Sequence, residues 1–336
     1  MTADRSVLLV LASSGWGGTE RAFVDLANAL ATRWRVTVAI PPDAVYAERL
    51  TGVRSIRHLR PGSRRNPLVL VHLRRLVRDV GADVVHTHAA RATEMIHWVG
   101  RTTPLVHVAT KHNTRDRWVF SRVRWVTAVS EQARRTIDRA GPVDVIYNGV
   151  TATDVGPVER PAAFTLLAVG RLHPHKGFDT LVREVARLRF DFALEIAGEG
   201  PERDRLEALV RETGLTGRVR LLGHREDVAR LMARSHALVV SSRTEGFSLA
   251  LVEGLMHCDV VVSTRVGIAP EILPDELLVR AEDMADRLTE IHDRYDEFVE
   301  RTARVRSVVG ERFSLANTTA EYEKIYERAI SRREER

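Results

Sequence analysis

Short runs of β-branched and aliphatic residues alternate with stretches of helical period along almost the whole chain. In the first half, Val7–Leu11, Val36–Ile40, Val84–Thr87, Val106–Thr110, Val126–Val129 and Val145–Tyr147 predict strands. Helical periodicity fits between them over Thr19–Ala31, Pro67–Val80, Ala90–Val99 and Glu131–Arg139. The pattern breaks over Thr151–Ala163, where two prolines and a glycine read as a linker. It then restarts with strands at Thr165–Val169, Ala193–Ala197, Val219–Leu222, Leu238–Ser241 and Val260–Ser263. The helices between these are expected over Phe178–Leu188, Pro201–Thr213, Asp227–Arg234 and Ser248–His257. Such alternation builds parallel sheets covered by helices, an α/β class.

The restart sets the domain organisation. Val7 to Gly18 and Thr165 to Gly177 both read strand, loop, helix, and each opens a Rossmann-like half. Two halves joined by a short linker leave a cleft between them. The expected division is a first Rossmann-like domain over 1–155, a second over 156–312, and a last segment over 313–336. In that segment a long charged helix, Leu315 to about Arg333, packs back on the first half.

Composition changes the picture in three places. The chain has 336 residues, enough for two domains, and at 44% hydrophobic and 29% charged it is globular. It has no run of about 18 apolar residues, and Met1 to Ser6 lead straight into a strand, so neither a membrane span nor a signal peptide is expected. Cys258 is the single cysteine, which fits a reducing cytoplasm and a small buried hydrophobe better than a nucleophile. The net charge of +6 points to anionic partners. Its arginines are scattered among acids, however, and a nucleic-acid stripe is not the favoured reading. Lys111, Lys176 and Lys324 are the only lysines, so a lysine in a loop stands out here.

Five motifs carry candidate chemistry. The loop Gly15-Trp-Gly-Gly-Thr-Glu20 follows the first strand and opens a helix, where glycines let a ligand approach the backbone. It lacks the Gly-x-Gly-x-x-Gly spacing of a dinucleotide site, and a plain tight turn explains it as well. Gly170-Arg-Leu-His-Pro-His-Lys-Gly177 places Arg171 and Lys176 on one loop, a cation pair suited to a diphosphate. His173 and His175 have no third ligand at usable spacing, so no metal site is expected. His86, His88 and His112 close two strands and are candidates for substrate contacts, with a structural role equally open for His86. Glu245 and Glu253 stand either side of seven residues, one on a turn and one on the next helix, where carboxylates can accept from two sets of hydroxyls. Finally, the stretches 68–78 and 115–125 mix arginine with apolar or aromatic residues and could lie on an anionic membrane surface.

Taken together, these residues resemble the retaining family 4 glycosyltransferases of the GT-B fold, two Rossmann-like domains facing each other across a cleft. The resemblance covers nearly the whole chain and is densest from Ala168 to Leu273. It is most specific at Gly170 to Gly177, at Ile196-Ala-Gly-Glu-Gly-Pro201, at Val219-Arg-Leu-Leu-Gly-His224 and in the spaced glutamates. It implies that Arg171 and Lys176, with Gly170, hold the donor diphosphate and stabilise the departing nucleotide. It implies that Glu253 binds the ribose and that Glu245, with Gly246, Phe247, Ser248 and Leu249, binds the hexose. Gly17 and Gly18 would face the diphosphate, His112 would stand beside the donor sugar, and backbone around Gly223 and Arg225 would meet the base. Arg171, Lys176, His112 and Glu245 are then the catalytic candidates, and neither metal nor cofactor is needed because the nucleotide sugar is a co-substrate.

This chain departs from the family at three points: Ser248 replaces a usual glycine or proline, His257-Cys-Asp259 replaces a Gly-x-Pro or Gly-x-Thr turn, and Ile268 replaces a second glycine. The implied function is transfer of a hexose from a nucleoside diphosphate sugar, UDP first, in glycan or glycosylated natural-product (antibiotic) biosynthesis. The acceptor would be a glycan, a lipid-linked intermediate or a small molecule. The expected location is cytoplasmic, with peripheral contact at the inner membrane face left open. The alternatives are a nucleotide-sugar 2-epimerase on the same scaffold and a non-catalytic basic protein that binds membrane or nucleic acid.

Overall fold

The computed structural model describes residues 5–151 and 153–334, so the first residues of the amino-terminal stretch, Ala152 of the expected linker and the last two positions lie outside the described residues. Two compact units divide the chain: residues up to Gly149 together with those from Phe313 on, and Val150–Arg312.

The first unit runs β1 (Ser6–Leu11), α1 (Gly18–Leu30), β2 (Arg35–Ile40), β3 (Ser55–His58), α2 (Pro67–Val80), β4 (Val84–His88), α3 (Ala89–Gly100), β5 (His107–Lys111), β6 (Trp125–Ala128), α4 (Glu131–Arg135) and β7 (Asp144–Val145). The second runs β8 (Phe164–Val169), α5 (Phe178–Val185), β9 (Phe192–Ala197), α6 (Arg203–Glu212), β10 (Val219–Gly223), α7 (Val228–Arg234), β11 (Ala237–Val240), α8 (Leu249–His257), β12 (Val260–Thr264), α9 (Ala269–Ile272), β13 (Leu278–Val279), α10 (Met284–Asp293) and α11 (Tyr295–Arg312). The last helix, α12 (Leu315–Glu334), returns to the first unit.

Each unit is one parallel sheet, ordered β3-β2-β1-β4-β5-β6-β7 in the first and β10-β9-β8-β11-β12-β13 in the second. Strands covered on both faces read as continuous apolar runs, and Val7–Val10 in β1 are fully buried. On one face of the first sheet, Leu9 and Val38 meet Phe23 and Leu26 of α1 together with Tyr322, Ile325, Tyr326 and Ile330 of α12. On the other face, Leu8 and Val10 meet Leu73 and Val77 of α2 and Met95 and Ile96 of α3. The carboxyl-terminal helix is therefore half of one core layer, and not an appendage.

Several boundaries differ from expectation for local reasons. The helix expected over 131–139 stops at Arg135, where the last turn tightens: Thr136 N donates to the Ala133 carbonyl at 3.3 Å and Ile137 N to that of Arg134 at 2.9 Å, and the Lys111 ammonium takes the Thr136 carbonyl at 3.2 Å. The strand expected over Val145–Tyr147 pairs only through Asp144–Val145. Tyr147 turns instead to the end of the chain, its ring 5.2 Å from that of Phe313 and its carbonyl accepting from Thr318 at 2.9 Å. The strands expected at 106–110 and 126–129 are displaced by one residue, and the edge strand β3 was not expected at all.

Candidate functional site

In the second sheet the strand order reverses between β8 and β11, which lie side by side in parallel. Ligands of open α/β sheets collect outside the carboxyl ends of the strands at such a reversal. The loops there are 170–177 after β8 and 241–248 after β11, which carry the cation pair and the first glutamate.

These two loops are laced together. Lys176 Nζ meets Glu245 Oε1 at 2.5 Å, and the same oxygen accepts from Ser242 Oγ at 2.8 Å. Ser241 Oγ donates to the Lys176 carbonyl at 3.0 Å, and Arg243 N donates to the His175 carbonyl at 2.8 Å. Arg243 also reaches back with its guanidinium to Asp179 and Thr180 at 2.9 and 2.8 Å. Gly177, at φ +68°, sits so close that a Cβ there would lie 2.2 Å from the Ser241 carbonyl oxygen. Only glycine fits both the left-handed backbone and the contact.

A third loop, after β9, joins the same layer. Leu172 N donates to the Glu199 carbonyl at 2.9 Å, and Gly198 N donates to the Gly223 carbonyl at 2.8 Å. A Cβ on Gly198 would stand 1.9 Å from the Gly170 carbonyl oxygen. The sequence motifs at 170–177, 196–201 and 219–224 are thus one backbone assembly.

Within it the two cations differ. Lys176 is only 16% exposed and Glu245 only 12%. An ammonium has three donors, and among the described residues Glu245 takes one of them, which leaves two directions for further acceptors. Arg171 is exposed and makes no hydrogen bond or ion pair among the described residues. Desolvating an ion pair costs about as much as its attraction returns, so a half-buried pair in a loop layer is poor evidence for stability and better evidence for a site.

The other expected residues fall as follows. Glu253 lies on α8, half-buried, with His257 one turn on held below its usual range by burial, against the opposing effect of Glu253. Phe247 is buried and its carbonyl accepts from Ile268 N at 3.1 Å, which ties the loop to the turn after β12. Leu249 starts α8 and is half-buried. Gly223 ends β10 at φ +75°, and the Arg225 guanidinium is engaged by Asp227 at 2.8 and 2.6 Å. His173 and His175 face each other at 2.6 Å, and among the described residues no group of three or more His, Cys, Asp or Glu is placed to hold a metal ion.

The three departures each have a structural counterpart. Ser248 takes φ +87°, left-handed backbone that costs a non-glycine residue about 1 kcal/mol or more. Ile268 is fully buried beneath the loop. At 257–259, Arg306 of α11 caps the end of α8 by donating to the Leu255 carbonyl at 2.7 Å and to that of Cys258. Cys258 itself is buried, its thiol pushed up to about 12, which leaves it unreactive.

In the first unit the sheet order reverses between β1 and β4. Gly17 caps α1 and Gly18 begins it, but this helix start already carries Glu20, whose carboxylate accepts from Ser13 Oγ at 2.5 Å. The loop is therefore not an empty anion site. At the ends of β4 and β5, His88 Nδ1 and His112 Nε2 face each other at 2.9 Å. Burial pulls His112 down to about 4 and His88 well below its usual value, so both are neutral near pH 7. His86 is structural: it bonds Tyr326 OH at 2.6 Å and Thr110 Oγ1 at 2.7 Å. Sequence reasoning missed Ser241, Ser242 and Arg243, the residues that fix the loops to one another. Their small or polar side chains at a strand end were the available signal.

Comparison with known proteins agrees with this layout. Residues 16–154 match the family model described as Glycosyltransferase Family 4, and residues 163–294 match that described as Glycosyl transferases group 1. The chain is 31% identical over 260 residues to the lipopolysaccharide core biosynthesis glycosyltransferase LpsE of Rhizobium meliloti, covering 74% of this chain and 76% of that protein. It is 34% identical over 198 residues to one subunit of human phosphatidylinositol N-acetylglucosaminyltransferase, covering 55% of this chain and only 41% of the human protein. The solved structure of Anabaena Alr3699/HepE in complex with UDP superposes with a TM-score of 0.82 at 18% identity, over 95% of this chain and 98% of that one. Two parallel-sheet Rossmann-like units, laced loops at the reversal of the second sheet and these matches lead to one conclusion: the chain belongs to glycosyltransferase family 4 and is a glycosyltransferase of the GT-B type.

Proposed function

We propose that this glycosyltransferase moves a hexose from a UDP-sugar to an acceptor hydroxyl with retention of anomeric configuration and without a metal. The observation that carries the reading is the Lys176–Glu245 contact of 2.5 Å at the sheet reversal, beside the exposed Arg171. Arg171 and the two remaining donors of Lys176 hold the diphosphate, and the leaving phosphate oxygens gather charge as the sugar departs. Glu245 accepts from hexose hydroxyls while Lys176 keeps it ionised, and Glu253 accepts from the ribose. Backbone at Gly223 and Arg225 meets the base, and neutral His112 accepts or donates at the sugar. UDP is the bound nucleotide in the Anabaena structure, which supports the choice of base.

A thermal-shift panel tests this reading with UDP, GDP, ADP and dTDP on the wild type, Arg171→Ala and Glu253→Ala. A ligand at a hundred times its dissociation constant adds roughly 2.7 kcal/mol of stability. Stabilisation of the wild type by UDP, reduced in both variants, is expected. No shift with any diphosphate at millimolar concentration overturns the reading.

The acceptor in this proposal is carried on a membrane lipid. The human relative is named for phosphatidylinositol and the Rhizobium relative for the lipopolysaccharide core, and both names support this choice. No helix among the described residues is long and apolar enough to cross a membrane. Yet Leu68 and Val71 on α2 and Trp118 in the turn after β5 are 59%, 46% and 44% exposed. Arg75 and Arg78 stand exposed on the same helix as the first two, and α3 packs against both α2 and the Trp118 turn. Apolar side chains flanked by arginine suit the interface of an anionic bilayer. Cosedimentation with vesicles containing anionic lipid is expected for the wild type and lost in Leu68→Asp/Val71→Asp. Equal recovery of both proteins with neutral and anionic vesicles would count against it.

A further inference from the structure

His88 has one polar neighbour available. On one side the edge of its ring meets Phe23 at 5.0 Å, and on another His86 lies 4.2 Å away. Both nitrogens of His86 are engaged by Tyr326 and Thr110, so His86 has none left for His88. The Nδ1 of His88 faces His112 Nε2 at 2.9 Å, while His88 Nε2 and His112 Nδ1 are buried with no hydrogen-bond partner among the described residues. His112 is 8% exposed and His88 only 1%, so His112 is the accessible end of the pair and His88 stands behind it. The chain turns immediately after His88 through Ala89 at φ +62°, a left-handed conformation that a β-carbon resists. Strain of this kind persists where the surroundings fix a side chain in place.

We propose that His88 is a positioning residue for sugar transfer, holding the His112 ring in one orientation and one tautomer through the Nδ1···Nε2 hydrogen bond. Two neutral imidazoles facing each other share one proton. If His88 donates it, His112 carries its own proton on Nδ1; if His112 donates it, its Nδ1 is a bare acceptor. The bond therefore decides what His112 offers a substrate hydroxyl, and removing His88 frees the ring to choose. This rests on the proposed role of His112 at the sugar.

The test compares His88→Phe, which keeps the bulk, with His88→Asn, whose side-chain amide can stand where Nδ1 stood. Ring-nitrogen NMR of His112 reads the pair without any substrate. One hydrogen-bonded tautomer is expected in the wild type and in His88→Asn, and a changed pattern in His88→Phe. Turnover, followed as UDP release, is expected to fall roughly 10- to 100-fold in His88→Phe through kcat, with recovery of most of the loss in His88→Asn. UDP affinity should stay within about two-fold of the wild type. An unchanged His112 spectrum in folded His88→Phe overturns the pairing, and wild-type kcat in that variant overturns the positioning role. A wild type that fails to bind UDP would instead strike the UDP-sugar reading and leave the NMR outcome standing.

Discussion

Lys176→Ala is expected to lower the rate of sugar transfer by about two to three orders of magnitude while the protein stays folded. The ammonium sits 2.5 Å from Glu245 and is 16% exposed, so its charge acts through little water. Its remaining donors are aimed at whatever occupies the loop layer, and the departing diphosphate gains negative charge there as the glycosidic bond breaks. A donor that binds more tightly as charge develops lowers the barrier, which a uniformly bound one does not. Arginine is not expected to substitute. The Lys176 side chain passes over Gly170, with Cε 3.0 Å from where a Cβ would be, and a planar guanidinium needs room that this slot lacks.

Stability separates this role from a structural one. Alanine leaves Glu245 with Ser242 as its hydrogen-bond donor, so some stability is lost. The double variant Lys176→Ala/Glu245→Gln removes the stranded charge and should recover melting temperature without recovering rate. The measurement is UDP release at saturating donor, read beside thermal melts of both variants. A single variant that turns over at the wild-type rate, or a double variant that regains it, would show that the pair only braces the loops.

Much of this architecture was legible because buried parallel strands advertise themselves. Val7–Leu11 and Val260–Ser263 read as strands because both faces are covered, and each was placed to within a residue. The edge strand β3, Ser-Ile-Arg-His, is covered on neither face completely and carried no such signal. The helices over 284–312 follow the last strand, so alternation gave no cue to them. Their apolar residues, among them Met284, Leu288, Ile291, Phe298, Val305 and Val309, nonetheless recur at helical spacing. In the site, the sequence named Lys176 and Glu245 but could not bring them together, because two loops separated by 69 positions meet only through the strand order. Nor could it show that Glu20 already fills the helix start beside Gly17 and Gly18, since a side chain's direction is a tertiary fact. The sheet order supplied what the spacing lacked.

Mild acid is expected to destabilise the first unit steeply, and the sign follows from its histidines. His86, His88 and His112 are buried and His107 half-buried on β4, β5 and the turn after it, and desolvation lowers each one, His107 to about 3 and His112 to about 4. The unfolded chain holds the same groups near 6.5. Below that value the unfolded state binds protons that the folded state refuses, so stability is complete above pH 6.5 and is lost as pH falls towards each folded value. Each histidine adds a slope of up to about 1.4 kcal/mol per pH unit, and four titrating together remove up to about 8 kcal/mol between pH 6.5 and 5, comparable with the roughly 5–15 kcal/mol that most domains hold. Carboxylates add little between pH 6.5 and 5, which leaves that window to the histidines. The five tryptophans, Trp16, Trp34, Trp98, Trp118 and Trp125, all lie in this unit, so tryptophan fluorescence reports it alone. Urea midpoints read that way at pH 7.5, 6.0 and 5.0 should fall steeply below pH 6.5, and His107→Asn should remove about one proton's share of the slope. Midpoints that hold level down to pH 5 would mean that the histidines take up protons in place.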